Sequence, residues 1–348
     1  MTLPISARVT PGADGDSILV MKDLSIRYRS GQQAVSGVDL EVKPGETVGL
    51  IGESGCGKSS IALAAMNLLP TDAAVSAARF EIMGSDVQEM SEAAWETVRG
   101  RDVSIIFQEP MTALNPCMRI GKQIAEVLLL HGLVENKREA TERALAALRS
   151  VQISKPELRM NQFPYQLSGG MRQRVMIAIA MAASAPLLVA DEPTTALDVT
   201  VQAEILRLLD DLRREHGLGV LLVSHDLGVV SQVCDRIVVM YAGQIVEEGT
   251  PSELLSSPRH PYTAGLVTCI PRSDGVRRSR LTTIPGRIVA SDRTTVGCRF
   301  QSRCPHARAG CELPQTLSVA SGGTRAVRCW VADELDPLLG PRSGGAGR

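Results

Sequence analysis

Residues 52–59, Gly-Glu-Ser-Gly-Cys-Gly-Lys-Ser, constrain the fold of this chain more than any other stretch. They fit G-x-x-x-x-G-K-[ST] at every position, follow the apolar run Val48–Ile51 and open a helical stretch after Lys58. This is the strand–loop–helix setting that a phosphate-binding loop requires. Glycines let backbone N–H groups turn inward around phosphate oxygens, and the start of the helix adds partial positive charge. Gly52, Glu53, Ser54, Gly55, Cys56, Gly57, Lys58, Ser59 and Ser60 are therefore candidates for holding ATP. In such a loop the lysine reaches the terminal phosphates and the following serine holds Mg²⁺.

A loop of this kind is aimed by a buried sheet, and the remaining sequence is patterned for one. Residues 18–52 are β-rich, with turn residues at Ser30-Gly31 and Pro44-Gly45. Residues 121–150 carry apolar positions at helical spacing. After them the pattern predicts a helix over Gly169–Ala183, a strand at Leu187–Ala190, a helix over Val201–Glu215, a strand at Val220–Val223 and a strand pair within 236–249. Apolar strands alternating with helices imply an α/β fold with a mostly parallel sheet covered on both faces.

The chain has 348 residues, 44% hydrophobic, with 37 basic and 38 acidic side chains. That is a soluble composition without the basic excess that nucleic-acid phosphates demand, so no nucleic-acid partner is expected. The longest nearly uncharged run, Val175–Ala190, has 16 residues and contains Pro186. It falls short of the roughly 20 apolar residues of a membrane span, and reads as a buried helix followed by a buried strand. The first residues lack the pattern of a secretory signal, which predicts a cytoplasmic location.

At the carboxyl end of the Leu187–Ala190 strand stand Asp191 and Glu192, where α/β sheets place their ligands. Alone, an acidic pair after a strand has a helix cap as its lesser reading. Beside a phosphate loop, Asp191 is the natural Mg²⁺-binding acid and Glu192 the group that polarises an attacking water.

Leu167-Ser168-Gly169-Gly170-Met171-Arg172-Gln173 resembles the signature of the ABC-type ATPases, and the other motifs of that family follow in order. Gln108, in IIFQEP, resembles the Q-loop glutamine; Asp198, in TTALD, the D-loop aspartate; His225, in LLVSHD, the switch histidine. Tyr28 sits where the family stacks an aromatic ring on adenine. Taken singly, these residues read as a strand end, helix caps or packing; their order carries the resemblance. It implies a P-loop ABC-type ATPase domain with a parallel core, an antiparallel β subdomain and a helical subdomain. The implied catalytic residues are Glu192, His225 and Gln108, with Mg²⁺ on Ser59, Gln108 and Asp191. Two subunits would then face head to tail, each capping the partner's ATP with residues 167–173.

Within that family the absence of spanning segments, the single cassette and the short insertion point to an importer subunit. Glu109–Pro116 would receive a helix from the membrane partner. The implied partners are a second ATPase subunit (a heterodimer), two transmembrane permeases and an extracytoplasmic substrate-binding protein, with the chain at the cytoplasmic face of the membrane. The rival reading is a soluble ATP-driven regulatory or repair factor with a metal domain.

His260-Pro261-Tyr262-Thr263, with Leu266 and Pro271, resembles the C-terminal extension of the dipeptide, oligopeptide and nickel importer ATPases. Of eight cysteines, four crowd into this unit: Cys298, Cys304, Cys311 and Cys329, spaced C-x5-C-x6-C-x17-C. The others, Cys56, Cys117, Cys234 and Cys269, read as small buried hydrophobes. Four soft ligands suit zinc or an iron–sulfur cluster, and spacing alone does not separate them. The resemblance points to 4Fe-4S, as a structural staple ahead of a redox sensor. The expected organisation is a tail (1–16), the ATPase domain (17–259, helical subdomain about 95–165), a small metal-binding extension (260–339) and a second tail (340–348).

Overall fold

The computed structural model describes residues 17–195, 197–270, 283–319 and 325–334. Both expected tails and Pro271 lie outside the described residues. Chain order gives strands β1 (Leu19–Arg27), β2 (Gln33–Val42), β3 (Thr47–Ile51), β4 (Ala74–Ser76), β5 (Arg79–Ile82) and β6 (Ser85–Asp86). They are followed by β7 (Val103–Ile106), β8 (Leu187–Asp191), β9 (Gly219–Ser224), β10 (Arg236–Tyr241), β11 (Gln244–Gly249), β12 (Ser318–Val319) and β13 (Ala326–Val327).

Among the described residues these strands form two sheets. The smaller is antiparallel, in order β2-β1-β5-β6, with β4 also paired to β1. The larger runs β12-β13-β11-β10-β3-β9-β8-β7 and is parallel from β10 through β7. Every residue of β3, β8 and β9 is buried, because layers cover both faces of the sheet. Successive side chains of a strand point to opposite faces, and the core divides accordingly. Leu188, Ala190, Val220, Leu222 and Val239 pack on one face with the helices. Leu187, Val189, Leu221, Val223 and Val238 pack on the other with the antiparallel sheet.

The expected helical stretch at 121–150 is two helices, Ile120–Leu130 and Lys137–Ser150. The second begins at Asn136, whose side chain accepts from the Arg138 and Glu139 amides, an ordinary N-cap. The stretch about 95–165 also contains β7, a four-residue edge strand of the main sheet that leads to Gln108. Four residues are too few to register a period amid helical sequence. Helices Gly169–Ala182 and Val199–His216 lie where expected. No helix among the described residues is long and apolar enough to cross a membrane.

The C-terminal extension does not stand apart from the ATPase core. Strand β13 continues the main sheet by pairing antiparallel with β11, Val327 opposite Glu247. The rings of Tyr241, Tyr262 and Phe300 meet at centroid distances of 4.9, 5.1 and 5.4 Å, and Tyr262 and Phe300 belong to the helical-side core. Aromatic residues are scarce in this chain, 3% of it, and three of them make this junction. Beside them His260 is fully enclosed; burial pushes its imidazole down to about 3. It is therefore neutral, and its Nδ1 accepts from the Tyr262 amide at 3.1 Å.

Because Phe300 is 2% exposed at this junction, Phe300→Ala is expected to destabilise the chain by about 3–5 kcal/mol, with Phe300→Leu costing less. Thermal melting checks this; an unchanged midpoint for the alanine variant would show that the extension does not share the core.

Candidate functional site

Strand β3 ends at Ile51 and delivers the chain into the loop 52–57, which enters helix Lys58–Ala64. Gly57 has φ 114°, and a Cβ there would lie 2.5 Å from the Ala34 carbonyl oxygen; only glycine fits without displacing strand β2. Four of the loop carbonyls are held by groups outside it. Lys58 Nζ donates to the Gly52 and Glu53 carbonyls at 2.8 and 3.2 Å. The Gly243 amide donates to the Cys56 carbonyl at 2.8 Å, and Arg293 donates to the Gly55 carbonyl. The first-turn N–H groups of the following helix lack intrahelical acceptors and carry its positive dipole end.

Tyr28, Ser54, Gly55, Gly57, Lys58, Ser59, Ser60, Gln108, Glu192 and Arg293 wall one cleft, with Gln32 and Ala34. Tyr28 Oη lies 3.0 Å from Ser60 Oγ, so the aromatic ring stands at the mouth of the phosphate loop. Ser59 Oγ donates to Asp191 Oδ1 at 3.2 Å. Burial pushes the Asp191 carboxyl above the ordinary carboxylate value, while the Ser59 hydrogen bond and the Lys58 charge pull partly the other way. A buried carboxylate beside a hydroxyl is a hard-oxygen donor pair that suits Mg²⁺.

One residue on, Glu192 adopts a left-handed conformation, φ 46°, a region that costs a non-glycine residue about 1 kcal/mol or more. Its amide is held by the Val223 carbonyl at 2.9 Å. Its Oε2 meets three groups: Gln108 Nε2 at 3.1 Å, Thr195 Oγ1 at 2.9 Å and His225 Nδ1 at 3.2 Å. Gln108 follows β7, Glu192 follows β8 and His225 follows β9, three neighbours in the sheet. The arrangement can orient a carboxylate toward a water at the terminal phosphate. Thr195 was not singled out from sequence, although it lies three residues after Glu192 in the same loop.

The signature segment lies elsewhere. Ser168 caps helix Gly169–Ala182 by accepting from the Met171 amide at 3.4 Å. Ser168 and Gly169 are exposed, Gly170, Met171 and Arg172 half-buried, and Leu167 and Gln173 buried. Asp198 caps helix Val199–His216, accepting from the Thr200 and Val201 amides at 3.1 and 3.0 Å. Among the described residues, neither 167–173 nor Asp198 walls the phosphate cleft.

Cys298, Cys304, Cys311 and Cys329 line a second, small cleft with His260, Phe300 and Trp330. Burial pushes the Cys298 and Cys304 thiols up to about 12 and about 11, and raises Cys329. Among the described residues no group of three or more His, Cys, Asp or Glu is arranged to hold a metal ion. The expected four-cysteine centre is therefore not seen as a ready coordination geometry, although the four thiols share this cleft. All eight cysteines are free. Cys56 and Cys234 are buried as expected, whereas Cys269 is half-buried and Cys117 is exposed, on the loop before helix Ile120–Leu130, outside the core.

The chain matches the family described as "ABC transporter" over residues 35–195 and that described as "Oligopeptide/dipeptide transporter, C-terminal region" over residues 246–311. It is 44% identical over 94% of its length to a probable peptide ABC transporter ATP-binding protein, y4tR, of Sinorhizobium fredii, covering 99% of that protein. It is 45% identical over 90% of its length to the oligopeptide transport ATP-binding protein AppD of Bacillus subtilis, covering 95% of it. Among solved structures, cbiO1 of Clostridium perfringens, part of the ABC transporter complex cbiONQ, aligns at TM-score 0.60 and 26% identity, over 69% of this chain and 91% of that one. The ATP-binding cassette MJ0796, a dimer in a post-hydrolysis state bound to ADP and Pi, aligns at TM-score 0.59 and 28% identity, over 67% and 98%. The cleft and these similarities together establish that the chain belongs to the ATP-hydrolysing, ATP-binding subunits of ABC transporters, of the type that carries the oligopeptide/dipeptide C-terminal region.

Proposed function

We propose that this chain drives a peptide importer through ATP hydrolysis at the cleft between Lys58 and Glu192. The observation that carries the reading is the single carboxylate oxygen of Glu192, held by Gln108, Thr195 and His225 beside the Ser59–Asp191 pair. Tyr28 stacks on adenine, the amides of 52–59 other than those of Glu53 and Cys56, which donate to Tyr262 Oη and the Glu53 carbonyl, receive the phosphates, and Lys58 supplies charge to the terminal ones. Ser59, Asp191 and Gln108 would hold Mg²⁺, which when bound would neutralise charge on the phosphates. Glu192 takes the proton of the attacking water, and Gln108 and His225 fix the direction of its carboxylate. Glu192→Gln is expected to retain ATP binding and to lower kcat by about 10²–10⁴-fold; undiminished hydrolysis would remove Glu192 from this role.

Residues 167–173 and Asp198 serve a second ATPase subunit in this reading. Their position outside this chain's own cleft supports it, as does the dimeric form of a similar cassette. The exposed Ser168 and the start of its helix make an anion site that caps the partner's ATP, so that loss of the γ-phosphate loosens the pair. The names of the relatives support peptides as the transported solute. The remaining partners are a distinct ATPase, two permeases and an extracytoplasmic substrate-binding protein, at the cytoplasmic face. Solubilised membranes should yield the chain together with integral membrane subunits, and peptide-loaded binding protein should stimulate its ATPase. Recovery of the chain free of membrane subunits would overturn the importer reading.

We further infer that Cys298, Cys304, Cys311 and Cys329 hold a 4Fe-4S cluster. Their convergence on one cleft supports it, and four soft thiols are the donor set such a cluster takes. When bound, the cluster supplies folding energy to the extension as a staple. Anaerobic purification is expected to give iron, sulfide and visible absorption, all reduced in Cys311→Ser; a colourless, iron-free, zinc-loaded chain would defeat the assignment.

A further inference from the structure

The phosphate loop is gripped by side chains of the C-terminal extension. Arg293, in the turn Ala290–Thr294, is 7% exposed. Its Nη1 donates to the Gln33 and Ala34 carbonyls at 3.0 Å each, and its Nη2 to the Gly55 carbonyl. One planar guanidinium thus joins strand β2, on the Tyr28 side of the cleft, to the phosphate loop. Arg303, closing the turn Gln301–Arg303, pairs with the loop residue Glu53 through two bonds, Nη1–Oε2 2.9 Å and Nη2–Oε1 3.0 Å. Its Nε donates to the Pro285 carbonyl at 2.7 Å. Tyr262 Oη accepts from the Glu53 amide at 2.8 Å. A third arginine, Arg299, donates to the Ala242 carbonyl at 2.6 Å, one residue before the Gly243 amide that holds Cys56.

Taking guanidiniums out of water is costly unless their N–H groups are matched; Arg293 is matched on strand β2 and the phosphate loop and Arg303 on Glu53 and the carbonyls of 284–286, whereas Arg299 Nε is buried without a partner. A carbonyl engaged by a guanidinium presents less negative charge to a cleft that receives a polyanion. A two-bond arginine–carboxylate pair fixes orientation as well as distance. We propose that the extension acts as a clamp that sets the conformation of the phosphate loop, with Arg293 and Arg303 as positioning residues for ATP binding. The core ATPase sequence alone does not complete the site; it is completed by residues some 240–250 positions downstream of the loop.

The proposal rests on the ATP site and is independent of the cysteine assignment. Equilibrium ATP binding by the full-length parent chain comes first: failure there would overturn the ATP reading itself, before any variant is made. In a binding parent, Arg293→Gln and Arg303→Gln are each expected to weaken ATP binding by about tenfold, raising KM more than they lower kcat. Hydrogen exchange should accelerate in peptides covering 52–57 and stay unchanged in helix Lys137–Ser150. Arg293→Lys should not rescue, because an ammonium cannot reach three carbonyls in one plane. Glu53→Gln should match Arg303→Gln, and the double variant should be no worse than either. Parent-like affinity and loop exchange in both arginine variants, or additive losses in the double variant, would overturn the clamp. Should the arginine variants fail to fold, Glu53→Gln decides alone, since it leaves the extension unaltered: affinity equal to the parent's overturns the proposal.

Discussion

A polyanion can be cradled by backbone only if the N–H groups face it and the carbonyls do not, and the rest of this structure is organised around meeting that condition at residues 52–57. The peptide has equal numbers of both groups, so every inward amide implies an outward carbonyl that needs a partner. Lys58 serves Gly52 and Glu53 from within the motif. Gly243 serves Cys56 from the turn between β10 and β11, and Arg293 serves Gly55 from the extension. The loop is thus fixed by three tiers of structure, of which only the first belongs to the motif itself.

The chemistry on the other side of the cleft depends on the parallel sheet. Strands β7, β8 and β9 are adjacent and point the same way, so their carboxyl ends open on one edge, where such sheets place ligands. Gln108 and Glu192 are 84 residues apart in sequence, and Glu192 and His225 are 33 apart, yet each pair meets within hydrogen-bond reach. The left-handed backbone at Glu192 is held by the Val223 carbonyl of the neighbouring strand and by Thr195. The strained residue is therefore over-determined by its surroundings, which is the condition for such strain to persist.

The extension changes how the domain should be pictured. Its rise in Pro, Arg, Ser and Cys reads as a separate unit, yet β13 continues the main sheet and Phe300 enters the main core. The same short segment carries Cys298, Arg299, Phe300, Arg303 and Cys304, so cysteine cleft, aromatic junction and loop clamp share one stretch of backbone. Packing, charge and thiol chemistry are thereby mechanically contiguous with the phosphate loop.

Much of this was readable from the chain alone, because it is local. The glycine spacing of 52–59, the acidic pair ending an apolar strand, the Ser168 and Asp198 caps and the alternation of strands with helices are all written in residues a few positions apart. Strand β7 leaves no period in four residues amid helical sequence, so only its end at Gln108 is legible, and Cys117 reads as buried although it is exposed, because a lone cysteine carries no pattern of exposure. Thr195, Tyr262, Arg293 and Arg303 acquire their roles only in the folded chain. An arginine some 240 residues from the carbonyl it holds looks, in sequence, like any other surface arginine. Its partner is chosen by which elements the core brings together, a long-range outcome of packing that no neighbouring residue encodes.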